Sequence, residues 1–161
     1  MSKSTYRNTF KEGVVAMFPL VPGVVPFGLI MGSVAASSGL SFFQTISLNV
    51  FIFAGAAQLS TIDLFLKDTP SVIIIITGLI INMRFLLYSA ASSSALANES
   101  FIMKFINGYL LTDQSFAVTE ASKDKLKTNK EKVSFMFGAS LMMAFSWHLF
   151  VVAGYYIGNI V

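Results

Sequence analysis

The chain has 161 residues, 55% of them hydrophobic and 12% charged, with a net charge of +3 and a mean hydropathy of +0.72. A soluble domain carries about twice that charged fraction, and here no charge falls between Glu12 and Asp63 or from Val133 onward, counting His148 as neutral. Such stretches exclude a water-soluble fold of this size and predict an all-α, polytopic integral membrane protein; the basic residues cluster in loops, which argues against a nucleic-acid partner.

The chain opens MSKSTYRNTFKEG, with no small-residue cleavage site after a short apolar core, so no signal peptide is expected. Lys3, Arg7 and Lys11 fall at helical spacing beside Tyr6 and Phe10. That pattern suits a short interfacial helix or a solvated basic tail, and both readings stay open. Five apolar segments follow, at about 14–36, 42–66, 71–97, 101–121 and 133–158, each near the ~20 residues a transmembrane helix needs. Short turns join the first four, and the basic stretch SKDKLKTNKEK joins the last two. With the N-terminus in the cytoplasm, Lys3, Arg7, Lys11, Lys67 and the lysines from 123 to 132 lie inside, Lys104 lies outside, and Arg84 lies within the membrane. The fourth segment must then cross to keep the basic loop inside, although Lys104, Asn107, Asp113, Gln114 and Glu120 make it only moderately apolar. The C-terminus is expected outside. No linker, low-complexity tract or internal repeat divides the chain, so residues 1–161 are expected to form a single transmembrane domain.

The first segment reads PLVPGVVPFGLIMG, with Pro19, Pro22 and Pro26 inside ten residues and Gly23 between them. Each proline removes a backbone donor and crowds the preceding turn, so the first helix is expected to be broken. Irregular backbone at membrane depth must be buried in protein or line a watery cavity, and half-helix N-termini in such places attract carboxylates. A kinked helix without a ligand is the competing reading. In the second segment, VFIFAGAAQLSTIDLF, the small residues Ala54 to Ala57 permit close backbone approach and Gln58 supplies an amide at depth. Small-residue patches more often pack than bind. Asp63 sits near Lys67 at the segment end, where it simply reaches the interface.

From Thr69 to Asn98 thirty residues carry one formal charge, Arg84. Holding an arginine near a bilayer centre costs at least ~2.5 kcal/mol, so it should face a partner, a cavity or a substrate. Thr77, Arg84 and Tyr88 share one helical side, and Gly78, Asn82, Ser89 and Ser93 another, which predicts a central helix with a narrow lipid face. Arg84 stands 15 residues before Glu99 and Asp113 stands 14 after it. An antiparallel hairpin turning there would put the two charges at nearly equal depth, lowering the cost of both. The pair is either a structural lock or a site in which Arg84 meets a carboxylate and Asp113 an amine or a coupling proton. A lone His148 in FSWHLFVV cannot make a metal site and reads more readily as a core histidine than as a proton carrier. GLIMG and GYYIG match the small-residue pattern of helix packing. No nucleotide loop, zinc spacing or Ser-His-Asp arrangement is present, so neither catalysis nor a cofactor is expected.

The stretches PLVPGVVPFGLIMG, VFIFAGAAQLS, INMRFLLYSA, LLTDQSF and SWHLFVVAGYYIG, in that order, resemble the AzlC-like branched-chain amino acid permease family. The likeness covers nearly the whole chain after the N-terminal tail, and FAGAAQ followed by NMRFLLYSA is its most specific part. It implies an exporter of branched-chain amino acids in the bacterial inner membrane, driven by the proton gradient; the mechanism expected for it is alternating access. It also implies a separately encoded, small AzlD-like membrane subunit as partner. Pro22, Gly23, Pro26, Gly55, Gln58, Asn82, Arg84, Tyr88 and Asp113 are the matching motif positions expected to line the transport path. Family members extend further, so the chain is expected to lack the last third. That departure keeps open a different class, a non-transporting accessory or assembly subunit in which Arg84 and Asp113 only lock helices.

Overall fold

The computed structural model describes residues 3–160; Met1, Ser2 and Val161, at the ends of the expected 1–161 domain, lie outside the described residues. Among the described residues the structure is helical, without strands. In chain order come α1 (Lys3–Met17), a 3-10 turn (Phe18–Leu20), α2 (Val21–Ser37), α3 (Phe42–Phe51), α4 (Gly55–Leu66), α5 (Ser71–Asn82), α6 (Arg84–Leu96), α7 (Phe101–Leu110), α8 (Asp113–Ala121) and α9 (Asn129–Gly158).

Two of the described stretches are long and apolar enough to cross a membrane, Tyr6–Ser37 and Asn129–Gly158, and a third results if α5 and α6 count as one span interrupted at Met83. The stretches 42–66 and 101–121 are each two short helices, of 10 and 12 residues and of 10 and 9. Local chemistry explains where these pieces start and stop. Gly39, at φ +78°, turns the chain out of α2 while its N–H reaches Ala36 O and that of Leu40 reaches Ala35 O, closing the helix end as glycine does. Ser41 and Gln44 then form a reciprocal capping box that starts α3.

The expected break in the first helix takes the form of one tightened 3-10 turn, not an unwound segment. Pro19 begins that turn and Pro22 lies in the first turn of α2, where a missing N–H costs little. Pro26 alone sits inside α2. The unwound links fall instead at 52–54, between α3 and α4, and at 111–112, between α7 and α8.

The chain forms two compact units. One comprises Met1–Val21 and Phe85–Phe145, the other Pro22–Arg84 and Ser146–Val161. In the first unit, α1 runs parallel to the start of α9. Ser134 Oγ donates to Tyr6 O at 2.8 Å, the Phe10 and Phe137 rings lie 5.8 Å apart, and Gly13 and Gly138 let the two backbones approach so closely that a Cβ at either would strike the facing chain. The α8 helix packs on α1, and Asn129 Nδ2 donates to Ser94 O at 3.1 Å, tying the start of α9 to the end of α6.

In the second unit, α2 runs parallel to the end of α9 along a seam of Gly28, Gly32, Gly154 and Gly158. Elsewhere in this unit a cavity of about 540 Å³ is lined along α3, from Phe43 to Phe51, and also by Ile62 and Phe65 of α4 and Ser71 and Ile75 of α5. Laid end to end, α3 and α4 would span more than ~30 Å at 1.5 Å per residue. Because the cavity takes in α3 and the second half of α4 together, the chain bends between them at Ile52–Ala54.

Polarity is arranged inside out. Fully buried side chains include Thr45, Asn49, Gln58, Asn107, Ser115 and Ser140, while Phe43, Phe51, Ile75, Leu79, Leu87 and Phe101 are all more than half exposed. Water would not tolerate that surface, and a bilayer requires it. The third segment departs from expectation: neither α5 nor α6 contributes a buried residue. In this chain α5 packs chiefly on α4, so its remaining girth faces outward.

Candidate functional site

The most constrained polar cluster lies in the second unit, where α3 turns into α4. Asn49, in the last turn of α3, and Gln58, in the second turn of α4, are both 0% exposed. Gln58 Nε2 donates to Asn49 Oδ1 at 3.0 Å and to Ile52 O, in the extended link, at 2.6 Å. From α9, Trp147 Nε1 donates to the same Asn49 oxygen at 2.7 Å. An indole N–H can only donate. It therefore fixes which Asn49 atom is oxygen, and that atom in turn fixes Gln58 as donor. Two enclosed atoms are left over, Asn49 Nδ2 and Gln58 Oε1, with no partner among the described residues. A buried donor or acceptor left unmade costs about 1–3 kcal/mol.

The helix start beside this cluster is also bare. Ala54, extended at φ −156° and ψ 103°, precedes α4 and provides no side-chain cap. The first intrahelical bond is Gln58 N–H to Ala54 O at 3.0 Å, so the N–H groups of Gly55, Ala56 and Ala57 are the orphans every helix start leaves. Aromatic rings wall the place in. A Cβ at Gly55 would fall 2.5 Å from Phe27 Cε1 and 2.6 Å from Trp147 Cη2, the Phe27 and Trp147 rings are 5.7 Å apart, and Phe53 stacks on His148 at 5.4 Å. Glycine is thus required at 55 by close approach of these rings.

The first unit holds a second interrupted segment with the opposite treatment of its helix start. Thr112 Oγ1 accepts the Ser115 N–H at 3.3 Å, and Ser115 Oγ accepts the Thr112 N–H at 2.9 Å. Asp113 occupies the first turn of α8, where a carboxylate is favoured by the helix dipole. Nearby in sequence, Asn107 is fully buried; its Nδ2 donates to Met103 O at 2.9 Å and its Oδ1 has no partner among the described residues. Tyr88 stacks on Phe116 at 4.6 Å and 19°.

Of the positions expected from sequence, Gly55 and Gln58 meet at the α3–α4 turn. Asn82 ends α5 and Arg84 begins α6, flanking the interruption at Met83, and both are half-buried. Arg84 belongs to the second unit, Asp113 and Tyr88 to the first. Pro22, Gly23 and Pro26 are exposed on α2, and a Cβ at Gly23 would meet nothing within 4 Å. The sequence reading missed Asn49 and Trp147. Two signals pointed to them: an amide on each side of FIFAGAA, and the single tryptophan of the chain, whose N–H needs an acceptor when buried.

An apolar exterior, buried amides and helices interrupted within apolar segments define a helical membrane protein with polar sites in its interior. The family profile described as AzlC protein matches residues 19–161, and the chain belongs to that family. It is 30% identical over 115 residues to an uncharacterized membrane protein of Archaeoglobus fulgidus, covering 71% of this chain and 50% of the relative. It is 24% identical over 154 residues to an uncharacterized membrane protein of Helicobacter pylori, covering 96% and 66%. The chain thus spans between half and two thirds of the length of these curated relatives. No solved structure matches it.

Proposed function

We propose that the chain is a transporter subunit exporting branched-chain and other apolar amino acids across the bacterial inner membrane, as a multi-pass protein working by proton-coupled alternating access. The observation that carries this reading is the pair of helices interrupted within apolar segments, at 52–54 and 111–112, in a chain of the AzlC family. Broken helices are how transporters bring backbone polarity to a substrate at membrane depth. Arg84 and Asp113 supply the opposite charges that a zwitterion or a coupling proton needs along the path. A small AzlD-like membrane protein is the proposed partner.

The test is efflux of preloaded labelled valine and leucine from bacterial cells expressing the chain, with and without such a partner, at matched membrane levels. Arg84→Ala should abolish efflux while inserting normally, and Arg84→Lys should also fail if the planar guanidinium is needed for a carboxylate. Efflux that persists in Arg84→Ala removes Arg84 from the path. Absence of efflux in the unaltered chain, with and without partner, refutes the exporter reading and favours an accessory subunit.

A further inference from the structure

We infer that the turn between α3 and α4 is the subsite that holds the main-chain groups of an apolar α-amino acid, an inference that rests on the transport reading above. The helix starts of the chain differ in a telling way. Those of α3, α7 and α8 are closed by Ser41, Ser100 and Thr112, whose hydroxyls accept backbone N–H groups. The starts of α4 and α5 have no such cap, but that of α5 follows Pro70 and contributes no buried residue, whereas that of α4 lies among buried side chains and aromatic rings. An uncapped helix N-terminus is a ready anion site. Here it coincides with an independent feature, the two fully buried amides that the Trp147 indole orients.

After their mutual bonds are made, those amides offer one donor, Asn49 Nδ2, and one acceptor, Gln58 Oε1. Both amides stand beside the turn, since Gln58 Nε2 reaches the Ile52 carbonyl within it and Asn49 lies one helical turn before Ile52. A zwitterion has the complementary inventory. Its carboxylate accepts from the first N–H groups of α4 and from Asn49, and its ammonium donates to Gln58. The Phe27 and Trp147 rings over Gly55 supply an apolar wall for a branched aliphatic side chain.

The experiment uses the purified full chain in detergent, with Trp147, the single tryptophan, as fluorescence probe. It is titrated with L-leucine, with L-leucinamide, which lacks the carboxylate, and with 4-methylpentanoate, which lacks the amine. Leucine should give a saturable change in emission, and each analogue should bind at least ten-fold more weakly. Asn49→Asp keeps an oxygen for Gln58 and Trp147 but replaces the spare donor with an acceptor. It should lose leucine affinity by ten-fold or more while keeping the emission spectrum of the unliganded protein. Equal affinity for leucine and leucinamide, unchanged affinity in Asn49→Asp, or no saturable response to leucine, as when water alone fills the turn, each overturns the assignment. If Asn49→Asp fails to fold, the ligand series on the unaltered chain decides. Arg84-dependent efflux that is unaffected by Asn49→Asp would overturn the subsite and leave the transport reading standing; absence of leucine efflux from the unaltered chain would overturn that reading itself.

Discussion

Replacing Gly32 by alanine should pry apart the seam between α2 and α9. The added methyl would come within 3 Å of three backbone positions of α9, at Val151, Gly154 and Tyr155, and backbone cannot rotate aside as a side chain can. Overpacking of this kind costs about 1–3 kcal/mol. Alanine recovers up to ~1 kcal/mol through its higher helix propensity, so the net loss should be on the order of 1–2 kcal/mol. Gly78→Ala is the control: it lies inside α5, where a Cβ meets nothing within 4 Å, and only the propensity gain remains. The assay is thermal unfolding in detergent followed by Trp147 emission, since that tryptophan stands on α9 one helical turn before Val151. Gly32→Ala should unfold several degrees below the parent, and Gly78→Ala at or above it. A Gly32→Ala variant as stable as Gly78→Ala would refute the close-approach argument.

Three further outcomes follow from the same geometry. Thr112→Ala removes the hydroxyl that accepts the Ser115 N–H and should destabilise the chain by about 1 kcal/mol, measurable as a lower thermal midpoint, whereas Thr112→Ser should retain most of it. Trp147→Phe deletes the donor to Asn49 Oδ1 and leaves unfilled volume at a side chain only 4% exposed, so a loss of more than the ~0.5–1.5 kcal/mol of the hydrogen bond alone is expected in a chemical-denaturation or proteolysis comparison. Lys67→Ala breaks the 2.7 Å contact to Asp63, in which both side chains are about 60% exposed or more; an exposed pair contributes little, and the unfolding midpoint should stay unchanged.

Membrane residence and helical class were legible from charge distribution alone, because burying fifty uncharged residues in water is not an option for so small a chain. The small-residue patterns were legible too. GLIMG and GYYIG, common by chance, turn out to face each other across one seam, the packing that small residues permit. The position of the unwound backbone was not legible. Prolines announce a defect wherever they stand, yet Pro19 and Pro22 fall at helix starts where their missing N–H groups are harmless. The real interruptions, at 52–54 and 111–112, carry no proline at all.

Sequence by itself therefore determined the solvent this protein needs, its helical class, its family likeness and the presence of Gln58 and Arg84 within long apolar stretches. Each of these depends on composition or local order, which the chain carries in one dimension. Tertiary structure alone decided that the chain bends between α3 and α4, that Asn49 and Trp147 orient Gln58, and that the α4 start is left bare. Those depend on groups separated by 9 and 98 residues meeting in space, and on a hydrogen-bond inventory that can be closed only once every neighbour is known.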